Sequence, residues 1–219
     1  MSKLLAVLLV GSLLFWPVSL RADVSHPDVV IKNGADSRFY REKDVGVFLQ
    51  IEGIANLDAA KFTKAVSAFK NLGLKKIRMV INSPGGNLFA GVHLAQAMMK
   101  ARAEGMVIET RGYGMIASAA LLIFSAGSPG HRFVAPGSVF LYHQVAQSRL
   151  FDTADLQEQR RRAKQMEKMQ NIFDSFLKMS GVNIDEVRKE FEKWGKEYIF
   201  FSGKAIELGF ADGLLYKFK

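Results

Sequence analysis

The stretch from Gly112 to Gly127 constrains the fold more than any other part of the sequence. A polar strand end leads into two glycines, then Ser118, and then a run of apolar and small residues. Glycines allow a sharp turn, and an apolar run with no polar face is typical of a buried helix. We therefore expect Ser118 in the first turn of a buried helix, where free N–H groups and the helix dipole favour negative charge. Such a serine is either a nucleophile or a small residue that eases helix packing.

Strand and helix patterns alternate along the chain. Apolar runs and alternation predict strands at 44–54, 77–81, 106–110 and 139–142. Helical spacing of apolar residues predicts helices at 57–72, 88–103 and 152–179, followed by a short helix and a small strand near 214–216. Strands that alternate with helices favour parallel pairing through right-handed crossovers. The pattern predicts one α/β domain with a mainly parallel sheet.

The N-terminus has the layout of a secretory signal. A basic start, an apolar run and a small residue, Ala22, predict a signal peptide over residues 1–22. Leu20 is larger than the residue preferred three places before cleavage, so an uncleaved membrane anchor is the alternative. Residues 23–42 are polar and predict an exposed lead-in, which leaves 43–219 for the folded domain.

Composition narrows the classes of function. The 219 residues are 49% hydrophobic, which suits a globular protein and excludes disorder. The net charge of +9 comes without zinc-ligand spacing or basic residues interleaved with aromatics, so it does not indicate nucleic-acid binding. It indicates a solvated basic face, with attraction to an anionic membrane surface as the alternative. The absence of cysteine excludes disulfides, thiolate metal sites and a cysteine nucleophile.

Two further features could complete a site around Ser118. Gly85 and Gly86 follow a strand and precede a helix, so their backbone N–H groups could bind an oxyanion. His143 ends a later strand, and a neutral imidazole there could take the serine proton and return it to a leaving amine. The alternatives are an ordinary turn and a structural histidine. The other three histidines lie in the lead-in, inside a helix and beside a turn, at His26, His93 and His131.

Four motifs follow one another in the same order as in a known family. They are INSPGG ending at Gly86, the Ser118 segment leading to Ala126 and Gly127, LYHQ containing His143, and FSGKAIELGFAD ending at Asp212. Over about residues 45 to 215 the chain resembles the Clp peptidases, serine peptidases of the crotonase-like superfamily. The resemblance implies repeated β-β-α units, a mainly parallel sheet and a long protruding helix.

The resemblance also implies roles for individual residues. Ser118 would be the nucleophile and His143 the general base. The backbone N–H groups of Gly86 and Ala119 would form the oxyanion hole, and neither a cofactor nor a metal is implied. The sequence departs from the family at the third catalytic member, because Tyr198 stands where the family has an aspartate.

The residue behind the histidine therefore stays open at this point. A carboxylate that accepts the imidazole N–H would fix its tautomer, and Glu197, Glu192 and Glu190 lie within the uncertainty of the register. Tyr198 or a backbone carbonyl could instead orient the ring in a weakened dyad. Related signal-peptide peptidases pair serine with lysine, which makes Lys164 and Lys168 alternative bases if the helix turns them inward.

The long charged segment at 152–179 carries Met166, Met169, Phe173 and Phe176 at helical spacing. This apolar line could pack on its own domain or on a partner subunit, as the interlocking helix of the family does. With a signal peptide, we expect an exported, periplasmic or extracytoplasmic homo-oligomer that cleaves peptides or unfolded segments without ATP. A non-catalytic binding or assembly module of the same fold is the main alternative, and acyl-CoA chemistry is a weaker one.

Overall fold

Eight strands and six helices make up the part of the chain that the computed structural model describes, residues 39–145 and 155–216. The strands are β1 (Phe39–Glu42), β2 (Val45–Gln50), β3 (Lys76–Ser83), β4 (Val107–Ala117), β5 (Arg132–Val134), β6 (Val139–His143), β7 (Glu197–Phe201) and β8 (Gly213–Leu214). The helices are α1 (Asp58–Asn71), α2 (Leu88–Ala103), α3 (Ala120–Ser125), α4 (Leu156–Met179), α5 (Ile184–Trp194) and α6 (Ser202–Glu207).

The strands form one mixed, mostly parallel sheet. Its main order is β1-β2-β3-β4-β5-β8, and β6 pairs with β4 on one side and β7 on the other. The β1–β2 and β6–β7 pairs are antiparallel, and the other pairs are parallel. The predicted α/β fold with a mainly parallel sheet is confirmed. Because β3, β4 and β6 are neighbours and parallel, the segments that follow them meet at one edge of the sheet.

Strand β4 is longer than predicted and corrects the expected turn. The chain stays in the strand through Gly112 and Gly114 as far as Ala117, and its sharp turn lies at Ser118. Gly112 lies in a crowded part of the strand, since a Cβ there would lie 3.0 Å from the side chains of Ile116 and Phe124. Gly114, at φ +59°, forms an irregularity where the Met115 N–H donates to the Asn82 side chain at 3.0 Å.

The buried helix predicted after Ser118 is present as α3, and all six of its residues are buried. It packs beneath α2, where a Cβ added to Gly91 would lie 3.0 Å from the Cβ of Ala119. Helix α2 has the bounds predicted for it, and Asn87 caps it by accepting the Ala90 N–H at 3.0 Å. This close packing fixes the start of α3 relative to the end of β3.

Helix α4 has 24 residues, and its buried residues all lie in its C-terminal half. Its first half is mostly solvent-exposed, whereas Phe173 and Phe176 are buried in the core, with the Phe173 ring 5.8 Å from that of Tyr142. Met166 and Met169 are half-buried. The buried part of the apolar line thus packs on its own domain, which is the first of the two arrangements predicted for it. The start predicted at Asp152 lies outside the described residues.

The last motif of the sequence serves the fold. Asp212 binds Arg132 through both carboxylate oxygens, at 2.5 Å and 3.0 Å, and so fastens the chain after α6 to β5. The sequence pattern missed β7, which runs into this motif at Phe201 and pairs with β6.

The predicted signal peptide, residues 1–22, lies outside the described residues, as does most of the predicted lead-in. The last four residues of that lead-in form β1 and pair with β2, and Phe39 is buried. The folded part therefore begins earlier than the predicted residue 43. Across residues 39–145 and 155–216, no helix is both long enough and apolar enough to span a membrane.

Candidate active site

The loop after β3 is held in place by backbone contacts with Ile54. The Ile54 N–H donates to the Gly85 carbonyl at 2.7 Å, and the Asn87 N–H donates to the Ile54 carbonyl at 3.1 Å. Gly86 lies between these two bonds at φ +150°, and a Cβ there would lie 2.4 Å from the Ile54 oxygen. The position therefore admits only glycine, which explains the glycine pair in the sequence.

Ser118 occupies the turn between β4 and α3 in a left-handed conformation, at φ +54°. This conformation costs a residue with a Cβ about 1–2 kcal/mol and is typical of functional turns. The Ser118 N–H donates to the Leu141 carbonyl at 2.9 Å, which ties the turn to β6. Gly85 lies against the same turn, since a Cβ there would lie 2.6 Å from both the Ala117 oxygen and the Ser118 Cβ. The serine side chain is half-exposed.

Two backbone N–H groups flank Ser118 without hydrogen-bond partners in the described part of the chain: those of Gly86 and Ala119. Ala119 is the N-cap residue of α3, so its N–H belongs to the group of donors that a helix leaves unpaired. Both residues line the same cavity as Ser118. Free N–H groups beside a nucleophile are the usual structural basis of an oxyanion hole.

The cavity has a volume of about 590 Å³ and also contains His143, the last residue of β6. The structure thus brings together all four residues that the sequence predicted for the site: Ser118, His143, Gly86 and Ala119. Apolar side chains from α2, α4 and the chain after β6 supply most of the remaining wall: Leu88, Phe89, Val145, Met166, Met169 and Phe173. Asn87 and Gln165 complete the lining.

The His143 ring is oriented by its own chain. Its Nδ1 lies 2.7 Å from the Gln144 carbonyl oxygen. A carbonyl oxygen only accepts hydrogen bonds, so Nδ1 carries the proton and Nε2 is left as the acceptor. Within the described residues no hydrogen bond joins the ring to the Ser118 hydroxyl. Catalytic hydrogen bonds are often formed only when substrate is bound.

The pairing of β6 with β7 separates the candidates for the third member. His143 lies opposite Glu197, and Tyr142 lies opposite Tyr198. Because successive side chains of a strand point to opposite faces, Glu197 shares the face of His143. Tyr198 lies with Tyr142 on the buried face and does not replace the family's aspartate.

Helix α5 carries the other two carboxylates on the wrong side of the sheet. Phe191 packs edge-on against Tyr142, with ring centroids 5.5 Å apart, so α5 covers the face opposite to that of His143. Glu190 is paired with Lys193 at 2.5 Å, and this hydrogen bond lowers the pKa of its carboxyl group. Glu192 is exposed. Neither residue lines the cavity.

The serine–lysine alternative has no support in the geometry. Lys164 and Lys168 are both exposed on α4, and neither lines the cavity. His93 and His131 also lie away from it, and His26 is outside the described residues. Within 39–145 and 155–216, no group of three or more His, Cys, Asp or Glu side chains lies close enough to bind a metal ion.

A buried polar network beside His143 was not predicted. Gln170 and Asp174, one helical turn apart on α4, both reach Tyr142. Burial and then the neighbouring Asp174 raise the pKa of Tyr142, so its phenol stays protonated and donates to Asp174 at 2.8 Å. The only signal in the sequence was a pair of polar residues spaced four apart within the apolar line of α4, which does not reveal their partners.

Comparison with known proteins agrees with this architecture. The family model described as Clp protease matches residues 37–217. ATP-dependent Clp protease proteolytic subunit 1 of Tropheryma whipplei (strain Twist) is 32% identical over 143 residues, 64% of this chain and 65% of that protein. This chain thus spans just under two thirds of that relative's length.

A second relative is matched over a longer range. ATP-dependent Clp protease proteolytic subunit 4 of Rhodococcus jostii (strain RHA1) is 31% identical over 183 residues, 82% of this chain and 87% of that protein. The family model covers the whole of the described sheet and every residue of the cavity. The chain belongs to the Clp protease family.

Proposed function

We propose that this protein is a serine peptidase in which Ser118 is the nucleophile and His143 the general base. One observation carries the proposal: a serine in a left-handed turn shares a cavity with a histidine and with two unpaired backbone N–H groups. The same cavity would need no metal ion for acyl transfer, because the attacking group and its base are both side chains.

The reaction follows from the position of each group. The Ser118 hydroxyl attacks the carbonyl carbon of a peptide bond while His143 Nε2 takes the hydroxyl proton. The N–H groups of Gly86 and Ala119 donate to the oxygen that becomes negatively charged. The imidazolium then gives its proton to the leaving amine, and an acyl-enzyme remains on Ser118. Water, deprotonated by the same imidazole, releases the second product and restores the serine.

The cavity wall supports peptides or unfolded segments as substrates. Most of its side chains are apolar, and Met166 and Met169 can adapt to different shapes because they are unbranched. An unfolded segment can lay its backbone along this wall, whereas most peptide bonds of a folded protein are not accessible to it. We include in the proposal a preference for extended chains that carry an apolar side chain near the scissile bond.

Compartment and assembly also belong to the proposal. The signal-like residues 1–22 support an exported protein in the periplasm or another extracytoplasmic space, where ATP and an energy-using chaperone are absent. The net charge of +9 is compatible with contact with an anionic membrane surface. Ile199 and Phe201 lie exposed on the same face of β7, and contact between copies in a homo-oligomer would cover them.

A fluorophosphonate probe tests the proposal. It phosphonylates an activated serine with loss of fluoride, so we expect the native protein to be labelled and Ser118→Ala to be unlabelled. His143→Ala should slow labelling at least about a hundredfold, because general-base catalysis contributes about 10²–10⁴. Cleavage of an unfolded protein should fall in parallel.

Two outcomes would overturn the assignment. Labelling that survives Ser118→Ala would place the nucleophile elsewhere. A folded native protein that neither takes the probe nor cleaves unfolded protein would favour the non-catalytic binding module instead.

A further inference from the structure

The peptide group that orients His143 is itself held by a side chain of α4. The Gln144 carbonyl accepts the His143 Nδ1–H at 2.7 Å. The Val145 N–H belongs to the same peptide group and donates to the Gln170 Oε1 at 2.7 Å. Because a peptide group is planar and trans, its C=O and N–H point in opposite directions. Fixing the N–H therefore fixes the direction of the carbonyl that faces the histidine.

Gln170 cannot easily turn its amide around. Its Nε2 donates to the Tyr142 hydroxyl at 2.8 Å and to the Asp174 carboxylate at 3.0 Å. The carboxylate only accepts hydrogen bonds and the Val145 N–H only donates, so both ends of the amide are determined. The side chain of Gln170 thus contacts the chain on both sides of His143, at Tyr142 and at Val145.

The far end of this network is buried and charged. Asp174 is 4% exposed and Tyr142 2% exposed. The Arg188 Nε donates to the second Asp174 oxygen at 2.6 Å, which fastens α4 to α5. Hydrogen bonds that include an ionised group are shorter and stronger than neutral ones, so Asp174 is a firm anchor for the Gln170 amide.

We propose that Gln170 is a positioning residue for the general base and performs, through one peptide group, the task of a catalytic carboxylate. Four groups lie in series: the Gln170 amide, the Val145 N–H, the Gln144 carbonyl and the His143 Nδ1–H. The series keeps the proton on Nδ1 and leaves Nε2 free for the proton of Ser118. The proposal rests on the proposed peptidase function for its consequence, but the geometry of the ring can be tested without it.

The decisive measurement is the tautomer of His143. Nitrogen-15 NMR of the ring, at a pH well above the ordinary histidine pKa of about 6.5, distinguishes Nδ1–H from Nε2–H. In the native protein we expect the Nδ1–H form. Gln170→Met keeps an unbranched side chain of similar length but removes the amide, so the ring should shift towards a mixture with the Nε2–H form. An unchanged tautomer in a folded Gln170→Met protein would overturn the proposal.

A second variant covers the event that Gln170→Met does not fold. Gln170→Glu keeps an acceptor for the Val145 N–H but cannot donate to Asp174, so stability should fall while the Nδ1–H tautomer is retained. If a folded Gln170→Glu protein lost that tautomer, the contacts with Tyr142 and Asp174 would control it instead of the bond to the Val145 N–H. That result would contradict the proposal. Gln159→Met, the same change on an exposed part of α4, is the matched control and should leave the tautomer unchanged.

Kinetics separate this proposal from the function on which it rests. Gln170→Met should lower kcat about ten- to a hundredfold with KM within about twofold, because the general base is misdirected while the cavity wall is intact. A shifted tautomer in a protein that never reacts with the fluorophosphonate would support the positioning role and refute the peptidase. An active Gln170→Met enzyme with native kcat would refute the positioning role and leave the peptidase standing.

Discussion

The two halves of the candidate site are held by different means. The nucleophile half, made of Gly85, Gly86, Ser118 and Ala119, is fixed by backbone contacts so close that a single added Cβ would overlap its neighbours. The base half, the segment from Tyr142 to Val145, is fixed by the side chain of Gln170 on α4. The first half has almost no freedom, whereas the second depends on where a long, partly exposed helix lies.

This difference suggests where the site can be adjusted. A close-packed turn transmits strain and tolerates no change in volume. The peptide group that orients His143 is held by a residue of α4, so small movements of α4 can change the orientation of the histidine ring. In the proposed mechanism the nucleophile half supplies the reacting hydroxyl and the oxyanion donors, and the position of the base half sets the rate.

The largest effect is expected in the nucleophile half, for Gly85→Ala. The new Cβ would lie 2.6 Å from the Ala117 oxygen and the Ser118 Cβ, and the φ of +96° is unfavourable for alanine. We expect the free energy of unfolding to fall by about 3 kcal/mol or more and fluorophosphonate labelling to fall at least about a hundredfold. Denaturant unfolding and labelling rates measure the two effects.

Gly73→Ala is the matched control for this change. Gly73 also has a positive φ, +74°, but a Cβ there would meet no atom within 4 Å. It should cost about 1 kcal/mol from backbone strain alone and leave labelling unchanged. If the two substitutions lowered the free energy of unfolding equally, the close packing around Gly85 would contribute nothing. The contrast between the two halves of the site would then be wrong.

The same contrast explains what the sequence could predict. Ser118, Gly86 and α3 were predicted because local sequence determines them: glycine where a Cβ does not fit and an unbroken apolar run where a helix is buried. The position of the turn was wrong, because Gly112 and Gly114 serve strand packing and an irregularity within β4.

The base half could be predicted only in part, since distant residues determine it. His143 was predicted from its place at a strand end, but the strand that carries Glu197 was missed. The sequence left three carboxylates open, and it is the register of β7 on β6 and the packing of α5 that separate them. Gln170 lies 27 residues beyond His143 and about four turns into α4, so no local pattern connects the two.

A smaller effect is expected at Glu109, which lies on β4, the strand that leads to Ser118. Burial alone would raise the pKa of Glu109, but hydrogen bonds from Lys76 and Arg78, and the charge and hydrogen bond of Arg111, outweigh it and lower the pKa to about 2. The Arg78 and Arg111 Nε atoms lie 3.0 Å and 2.7 Å from its Oε1. Strand β4 is thus held against β3 by ion pairs as well as by packing.

The sign of the pH dependence follows from the lowered pKa. Between its ordinary value of 4.5 and about 2, Glu109 binds more protons in the unfolded chain than in the folded protein. Its contribution to stability is therefore complete above pH 4.5 and is lost as the pH falls towards 2. Glu109→Gln should cost about 1–2 kcal/mol at neutral pH, because its basic partners reach solvent, and should flatten acid unfolding over this range. An acid-unfolding curve of Glu109→Gln identical to that of the native protein would show that Glu109 does not stabilise β4.

The smallest effect is expected for Glu197→Gln, and it is the sharpest test of how the base half works. Glu197 lies directly across from His143, but the ring bonds the Gln144 carbonyl instead. An exposed carboxylate stabilises a charge on a neighbouring side chain by at most about 1 kcal/mol. We therefore expect kcat to fall no more than about fivefold. Glu190→Gln and Glu192→Gln, on the opposite side of the sheet, should leave kcat unchanged. If Glu197→Gln alone lowers kcat a hundredfold or more, His143 is oriented by a carboxylate in the working enzyme. The base half would then be held by its neighbouring strand, and Gln170 on α4 would lose the role assigned to it.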